Sequence, residues 1–310
     1  MLKIIVLGAA AGGGFPQWNC NCDVCLAARA GTDGAAMATQ SSLAVSADGE
    51  TWFLLNASPD IRQQINQTPA LHPRNGRRHS PIAGVVLTNA DVDHVAGLLS
   101  LRESQPLSLY ATERVLGVLA ANSVFNVLNP EFVKRRTVSL GATTELLRPD
   151  GRPSGLAAEI FAVPGKVALY LEDESAGPNF GSVAEDTVGI RISVPAEGRE
   201  FFYIPGCAAC PPDLAARLAG AALLFFDGTT WIDDEMQATG VGHKTGRRMG
   251  HMCMSGPAGS IAVLAPLDIG RKIYIHINNT NPVHLRDGPE RGEAEAAGWE
   301  IAYDGMEVEA

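Results

Sequence analysis

The chain has 310 residues, a formal net charge of −10 and 46% hydrophobic residues. This length admits one large α/β domain or two small ones, and the apolar content supports a full core. The acidic balance argues against a general nucleic-acid binder, which carries a basic face, and no apolar run approaches the roughly 20 residues of a membrane helix.

Lys3–Leu7 predicts a first β-strand that runs into the glycine loop GAAAGGG. With one Lys, a brief apolar stretch and small residues behind it, this start also has the outline of a short signal peptide. The strand reading is preferred, because cleavage there would leave the loop outside the mature chain. The loop lacks the G-x-G-x-x-G spacing of a dinucleotide site. Next comes GFPQWNCNCDVC, residues 14–25, with Cys20, Cys22 and Cys25 in C-x-C-x-x-C spacing. Three thiols this close can converge as thiolates on one tetrahedral zinc, leaving a fourth position open. We expect a structural zinc that pins the glycine loop; Asn279, His243 and Asp23 are the candidates for the fourth donor. The six cysteines cluster tightly rather than forming a secreted disulfide framework, which points to a reducing compartment, the cytoplasm.

Further strands are predicted at Leu43–Val45, Trp52–Leu55, Gly84–Leu87, Leu107–Tyr110, Ile160–Val163, Gly189–Val194, Phe201–Ile204, Leu223–Phe226 and Arg271–Ile277. Each ends at Gly, Pro, Asn, Asp or Ser. Helical patterns occupy Ala96–Glu103, Glu113–Val127, Pro212–Gly220 and Gly256–Leu264. Strands thus come singly and in pairs between helices, which fits mixed sheets with helices outside. No linker is long or polar enough to split the chain, so we expect one domain over residues 1–310. His72–Ser80, Glu172–Phe180 and Gly242–Gly250 read as surface loops. Cys207 and Cys210 form a separate C-x-x-C, for which a thioredoxin-type reading has no other support.

After the apolar run VVL comes TNADVDH, residues 88–94. It resembles the T-H-x-H-x-D-H metal signature of the metallo-β-lactamase superfamily, with Asn89 and Asp91 in place of two histidines. LGAAAGGGFPQWNCNC, TNADVDHVAGL, DGTTW, MGHM and HINNTNP together resemble the pyrroloquinoline quinone (PQQ) biosynthesis protein B family of that superfamily, over essentially the whole chain. The resemblance implies an αββα sandwich: two mixed sheets face to face, with helices on both outer faces.

It also implies a site. Superfamily hydrolases hold two metals. The positions serving the first read Asn89, Asp91 and Lys166 here, and the bridging Asp falls on Cys207, so that position looks dismantled. The positions serving the second read Asp93, His94 and His276, all of ligand type. One carboxylate and two imidazoles with open positions form the ligand set of mononuclear non-heme Fe(II) oxygenases. Asp91 is a candidate for a further iron ligand. By comparison with transfer-RNA-processing phosphodiesterases of the superfamily, Asp227 and His251 match a carboxylate–imidazole pair suited to general acid/base work.

The family resemblance further implies a role in making PQQ from the Glu–Tyr unit of a precursor peptide, by iron- and O₂-dependent hydroxylation of the tyrosine ring. Other proteins of that pathway are expected partners; nucleic acid and membrane are not. Transport of PQQ or its precursor, and single-metal hydrolysis, are the alternatives. A Glu–Tyr substrate carries several carboxylates, and Arg74, Arg77, Arg78, Lys244, Arg247 and Arg248 in two basic loops are available to meet them, or merely to solubilise those loops.

Overall fold

The computed structural model describes residues 1–310 except Asp33 and Pro178. In chain order the elements are β1 Lys3–Gly8, α1 Asp23–Ala30, β2 Ser42–Ser46, β3 Trp52–Leu55, α2 Ile61–Gln67, β4 Ile82–Val86, α3 Val92–Val95, β5 Leu107–Ala111, α4 Glu113–Ala121, β6 Val133–Thr137, β7 Thr143–Leu147, β8 Pro153–Ala162, β9 Val188–Val194, β10 Arg199–Ile204, α5 Pro212–Leu218, β11 Leu223–Asp227, α6 Glu235–Ala238, α7 Gly246–Met249, α8 Ser260–Leu264, β12 Arg271–Ile275, α9 Pro289–Ala296, β13 Trp299–Ile301 and β14 Glu307–Glu309.

Among the described residues the strands form two seven-stranded sheets, ordered β14-β1-β2-β3-β4-β5-β6 and β13-β12-β11-β10-β9-β8-β7. Both are mixed. In the first, β14, β1, β2 and β3 pair antiparallel and β3 to β6 parallel. In the second, β7 to β10 pair antiparallel and β10 to β13 parallel.

The central strands bury both faces, which is why they read as apolar runs rather than strict alternation. Ile4 and Val6 enter the core between the sheets, together with Phe53, Tyr203 and Phe225, while Ile5 and Leu7 pack under helices on the outer face. In β10, Phe201 and Tyr203 point inward and Phe202 and Ile204 outward, against Leu214 and Leu218 of α5. This period-two division along each strand builds the three core layers of an αββα sandwich.

The ten strands predicted from sequence are all present; β6, β7, β13 and β14 are additional. These four lie at or beside the sheet edges and are short or polar, as edge strands commonly are. The predicted helix Glu113–Val127 divides at Asn122 into α4 and a 3₁₀ turn, Ser123–Val127. The predicted helix Gly256–Leu264 begins only at Ser260, because a left-handed Gly256 and a tight turn at Gly259 precede it. Ala96–Glu103 is 3₁₀ over Ala96–Leu101, with α3 just before it. The last predicted strand, Arg271–Ile277, stops at Ile275, since His276 has a positive φ of 59°.

β1 and the parallel strands β3 to β6 of the first sheet run in one direction. The segments leaving β1, β4, β10, β11 and β12 at their C-terminal ends gather at one end of the sandwich, the usual address of a site in α/β sheets.

Candidate metal centre

Beyond β4 the chain passes through Thr88 and Asn89 into the single turn of α3, where the His94 amide donates to Asp91 O at 2.9 Å. The turn presents Asp93 and His94 to the end of β12. There His276 leaves the strand, and its Nε2 lies 3.0 Å from Asp93 Oδ2. The donor atoms of Asp93, His94 and His276 lie within 4.8 Å of one another.

The hydrogen bonds fix which nitrogen of each imidazole faces the centre. The Asp91 amide donates to Asn89 Oδ1 at 3.0 Å, which marks that atom as an acceptor. His94 Nδ1 lies 2.8 Å from the same oxygen and must therefore carry the proton. The lone pair is left on Nε2, which is buried, has no hydrogen-bond partner among the described residues and stands 3.7 Å from Asp93 Oδ2. His276 repeats the arrangement. Thr229 Oγ1 donates to Asp227 Oδ1 at 2.6 Å and so accepts from His276 Nδ1 at 3.0 Å. Both rings thus direct a basic Nε2 at one carboxylate, and partners of this kind orient imidazoles for metal binding.

The electrostatics match a cation. Burial lowers the pKa of His94 to about 4, so the ring is neutral and able to ligate. Burial acts against the Asp93 carboxylate, but the two histidines outweigh it and hold the pKa well below the ordinary value. Burial also opposes charge on His276, yet the Asp93 contact raises its pKa, an interaction that a cation between the two groups would replace. Asp91 is raised by its own burial and by the Asp93 charge, a conflict that a bound cation relieves. Three donors, an unpartnered buried nitrogen and crowded carboxylates fit a divalent metal.

Asp227 and His251 stand beside this set. The fully buried Asp227 accepts from His251 Nδ1 at 2.7 Å, from the Cys207 amide at 2.8 Å and from the Thr229 amide at 3.0 Å. Asp227, His251 and His276 also offer donors within 4.8 Å. Both Asp227 oxygens are already engaged by N–H and O–H groups, however, which suits an orienting carboxylate better than a ligand. With the proton on Nδ1, His251 keeps a basic Nε2 on a ring that lines the cavity. The His251 and His276 rings stack at 5.2 Å.

A cavity of about 250 Å³ joins these groups, lined also by Gly12, Asn89, Asp91, Lys166, Lys244 and Asn278. Asp91 lies outside the three-donor set, and its Oδ1 accepts from the Leu169 amide at 3.2 Å. Lys166 pairs with Glu172 at 2.7 Å, and Glu172 also holds Arg248 at 2.7 Å, tying two of the predicted loops together over the site. Of the six cations proposed for substrate carboxylates, Lys244 lines the cavity. Arg248 is occupied by Glu172 and stacks on Phe180, with the guanidinium carbon 3.8 Å from the ring centroid. Arg74, Arg77 and Arg78 lie before β4, at the opposite end of the strand from Asp93, and Arg74 is bound to Glu50. The structure removes those three from the site.

The cysteine triplet forms a second cluster, with donors again within 4.8 Å. Of the three candidates for the fourth donor, Asn279 reaches the cluster, but as a hydrogen-bond partner of the sulfurs: its Nδ2 donates to Cys25 Sγ at 3.3 Å, so it orients the thiols and does not ligate. His243 and Asp23 lie outside the cluster. Burial pushes the Cys22 thiol up to about 12, while hydrogen bonds from its neighbours bring Cys20 below its ordinary value in spite of burial. Cys207 is fully buried, burial together with the Asp227 charge pushes its thiol pKa up, and it lies outside the donor groups.

Residues 51–277 match the family model described as Beta-lactamase superfamily domain. Fold and site therefore define a member of the metallo-β-lactamase superfamily. The chain is 56% identical over 310 residues to coenzyme PQQ synthesis protein B of Rhodopseudomonas palustris strain TIE-1, covering 99% of each. It is 54% identical over 308 residues to a protein of that name from Methylorubrum extorquens, covering 99% of this chain and 100% of the other. A crystal structure of Zn²⁺-bound PqqB from Methylobacterium extorquens aligns with a TM-score of 0.94 and 53% identity, covering 99% of this chain and 100% of that one. The chain belongs to the coenzyme PQQ synthesis protein B family.

Proposed function

We propose that this chain, acting as one domain, works in PQQ biosynthesis as an iron- and O₂-dependent oxygenase that hydroxylates the tyrosine ring of a Glu–Tyr-containing precursor. The names of its full-length relatives support the pathway. The observation that carries the chemistry is the direction of His94 Nε2 and His276 Nε2 onto Asp93, a two-imidazole, one-carboxylate set with room beside it.

In this reading Asp93, His94 and His276 hold the metal, and Asp91 lies close enough to tune it. Iron bound there supplies the one-electron and O₂ chemistry that side chains lack. The protein supplies the rest. Asp227 fixes the proton of His251 on Nδ1, so Nε2 can accept the proton that the ring carbon gives up as it gains oxygen; an external two-electron reductant would supply the electrons that take the second oxygen atom to water. Lys244 offers a cation to a substrate carboxylate, and the Lys166–Glu172–Arg248 bridge limits water entry. The cysteine cluster suits a structural zinc, and the Zn²⁺-bound relative shows that a close homologue takes this metal.

Isotopic oxygen distinguishes the chemistries. With ¹⁸O₂ and a tyrosine-containing peptide, label in the product supports the oxygenase. Label acquired only from water, or turnover under nitrogen, assigns the site to hydrolysis, for which the Asp227–His251 pair would serve equally well. Binding without any product assigns it to carriage of PQQ or a precursor.

A further inference from the structure

The triad and the cysteine cluster share one strap of chain. His276 supplies a triad nitrogen, and three residues later Asn279 sits on the cysteines. Besides its Nδ2 contact with Cys25, the Asn279 carbonyl lies 3.8 Å from Cys22 Sγ and 3.7 Å from Cys25 Sγ. Between the two, Ile277 is bracketed by the glycine loop: its amide donates to Ala9 O at 2.9 Å, and its carbonyl accepts from the Ala11 amide at 2.8 Å. The next loop residue, Gly12, faces Asp93, and a Cβ built there would come within 3.3 Å of Asp93 Oδ2. Farther along, Phe15 of the same loop stacks on His284 with ring centroids 3.8 Å apart. One segment, the loop from residue 9 together with the first turn of α1, therefore carries the cysteines, touches one triad donor and brackets the segment that carries another.

His276 needs this support. Its φ of 59° is uncommon for a residue with a side chain and persists only where the surroundings over-determine it. The strap's grip on the cysteine end changes with metal. Neutral thiols offer Asn279 only weak sulfur hydrogen bonds. With a cation on the sulfurs, the two S–H contacts to the Asn279 backbone carbonyl are given up, and the side-chain Nδ2 contact with Cys25 Sγ becomes a charge-assisted bond, the stronger kind, so the grip passes to the Asn279 side chain.

We propose that Asn279 is a positioning residue that couples the two clusters: a divalent cation held by Cys20, Cys22 and Cys25 fixes the 276–279 strap and raises the affinity of Asp93, His94 and His276 for their own metal. The inference rests on the reading of the triad as a metal site. Linkage makes the coupling reciprocal, so metal at the triad tightens the cysteine site by the same factor.

The experiment uses the full chain under anaerobic conditions. Zinc is first loaded at the cysteines, and Fe²⁺ or Co²⁺ affinity at the triad is then measured by competition with a chelator. Asn279→Ala retains all six donors. It is expected to keep its zinc and its melting temperature within a few degrees, yet bind the triad metal about 10–100-fold more weakly, the usual cost of losing an orienting partner. Wild type stripped of zinc with a thiol reagent should show a loss of the same order. Conversely, Co²⁺ at the triad should slow zinc release from the cysteines in wild type but not in His276→Ala, an effect that a purely structural clip would not produce. Equal triad affinity in zinc-loaded wild type and Asn279→Ala overturns the coupling while leaving the metal reading intact. A zinc-loaded wild type that binds no metal at the triad removes both. If stripping unfolds the protein, the Asn279→Ala comparison decides alone.

Discussion

Cys20, Cys22 and Cys25 come from six consecutive residues at the entry to α1, whereas Asp93 and His276 lie 183 positions apart at the ends of strands in different sheets. The first cluster needs only a loop to close. The second exists only when both sheets are packed and β4 and β12 end side by side. A local cluster can thus be read from spacing, while a distributed one inherits its geometry from the whole core. In both, the donors are set by neighbours that do not bind metal: Asn279 at the cysteines, Asn89 and Thr229 at the triad.

The largest expected effect breaks the distributed cluster. Asp93→Ala, His94→Ala or His276→Ala should abolish both iron binding and O₂ consumption, while anaerobic metal analysis still finds the cysteine-bound zinc. Loss of both metals together would mean that the two clusters are not separate sites. Next, His251→Ala should lower turnover by roughly 10²–10⁴, the range of a general acid/base, with iron content retained. If iron is lost instead, His251 is a ligand. Cys22→Ala probes the local cluster: about one zinc per chain should be released and the melting temperature should fall, because metal binding energy is folding energy there. Unchanged zinc and stability would contradict the assignment. Asn89→Leu removes the acceptor that holds the His94 tautomer, and triad affinity should drop about 10–100-fold in a chelator competition.

The smallest effect concerns pH. Burial lowers the pKa of His284, which stacks on Phe15, to about 4 from an ordinary 6.5. The folded chain therefore binds this proton less readily than the unfolded one. Stability from the neutral ring is complete above about pH 6.5 and is lost progressively as pH falls towards 4. Metal-free wild type should lose melting temperature over that window relative to His284→Phe. A constant difference between the two would show that His284 does not titrate there.

The same contrast explains what was legible in the sequence. The cysteine cluster was visible from C-x-C-x-x-C alone. The central strands were visible because burial on both faces leaves uninterrupted apolar runs such as KIIVL and LLFF. The edge strands were not: VKRRT and EVE carry charge and bury little. Helices α1, α2 and α9 escaped because they are 8, 7 and 8 residues long, about two turns, which leaves little room for an apolar period to repeat. Asp93, His94, His276, Asp227 and His251 were nameable only through family resemblance, since no spacing rule joins residues so far apart. Thr229 was missed as an orienting residue. Nothing in DGTTW says that one hydroxyl serves Asp227 and His276 together; only the geometry where β11 and β12 end does. Asn89, read as a lost ligand, holds His94 in place.

One metal held by Asp93, His94 and His276 is expected to support O₂-dependent chemistry. Metal-free protein, refilled anaerobically with ferrous iron after zinc is restored to the cysteines, should bind one iron per chain outside them. Oxygen uptake with a tyrosine-containing peptide should then begin on exposure to air and vanish in His276→Ala. Two equivalents of metal at the site, or full product formation without O₂, would contradict the account.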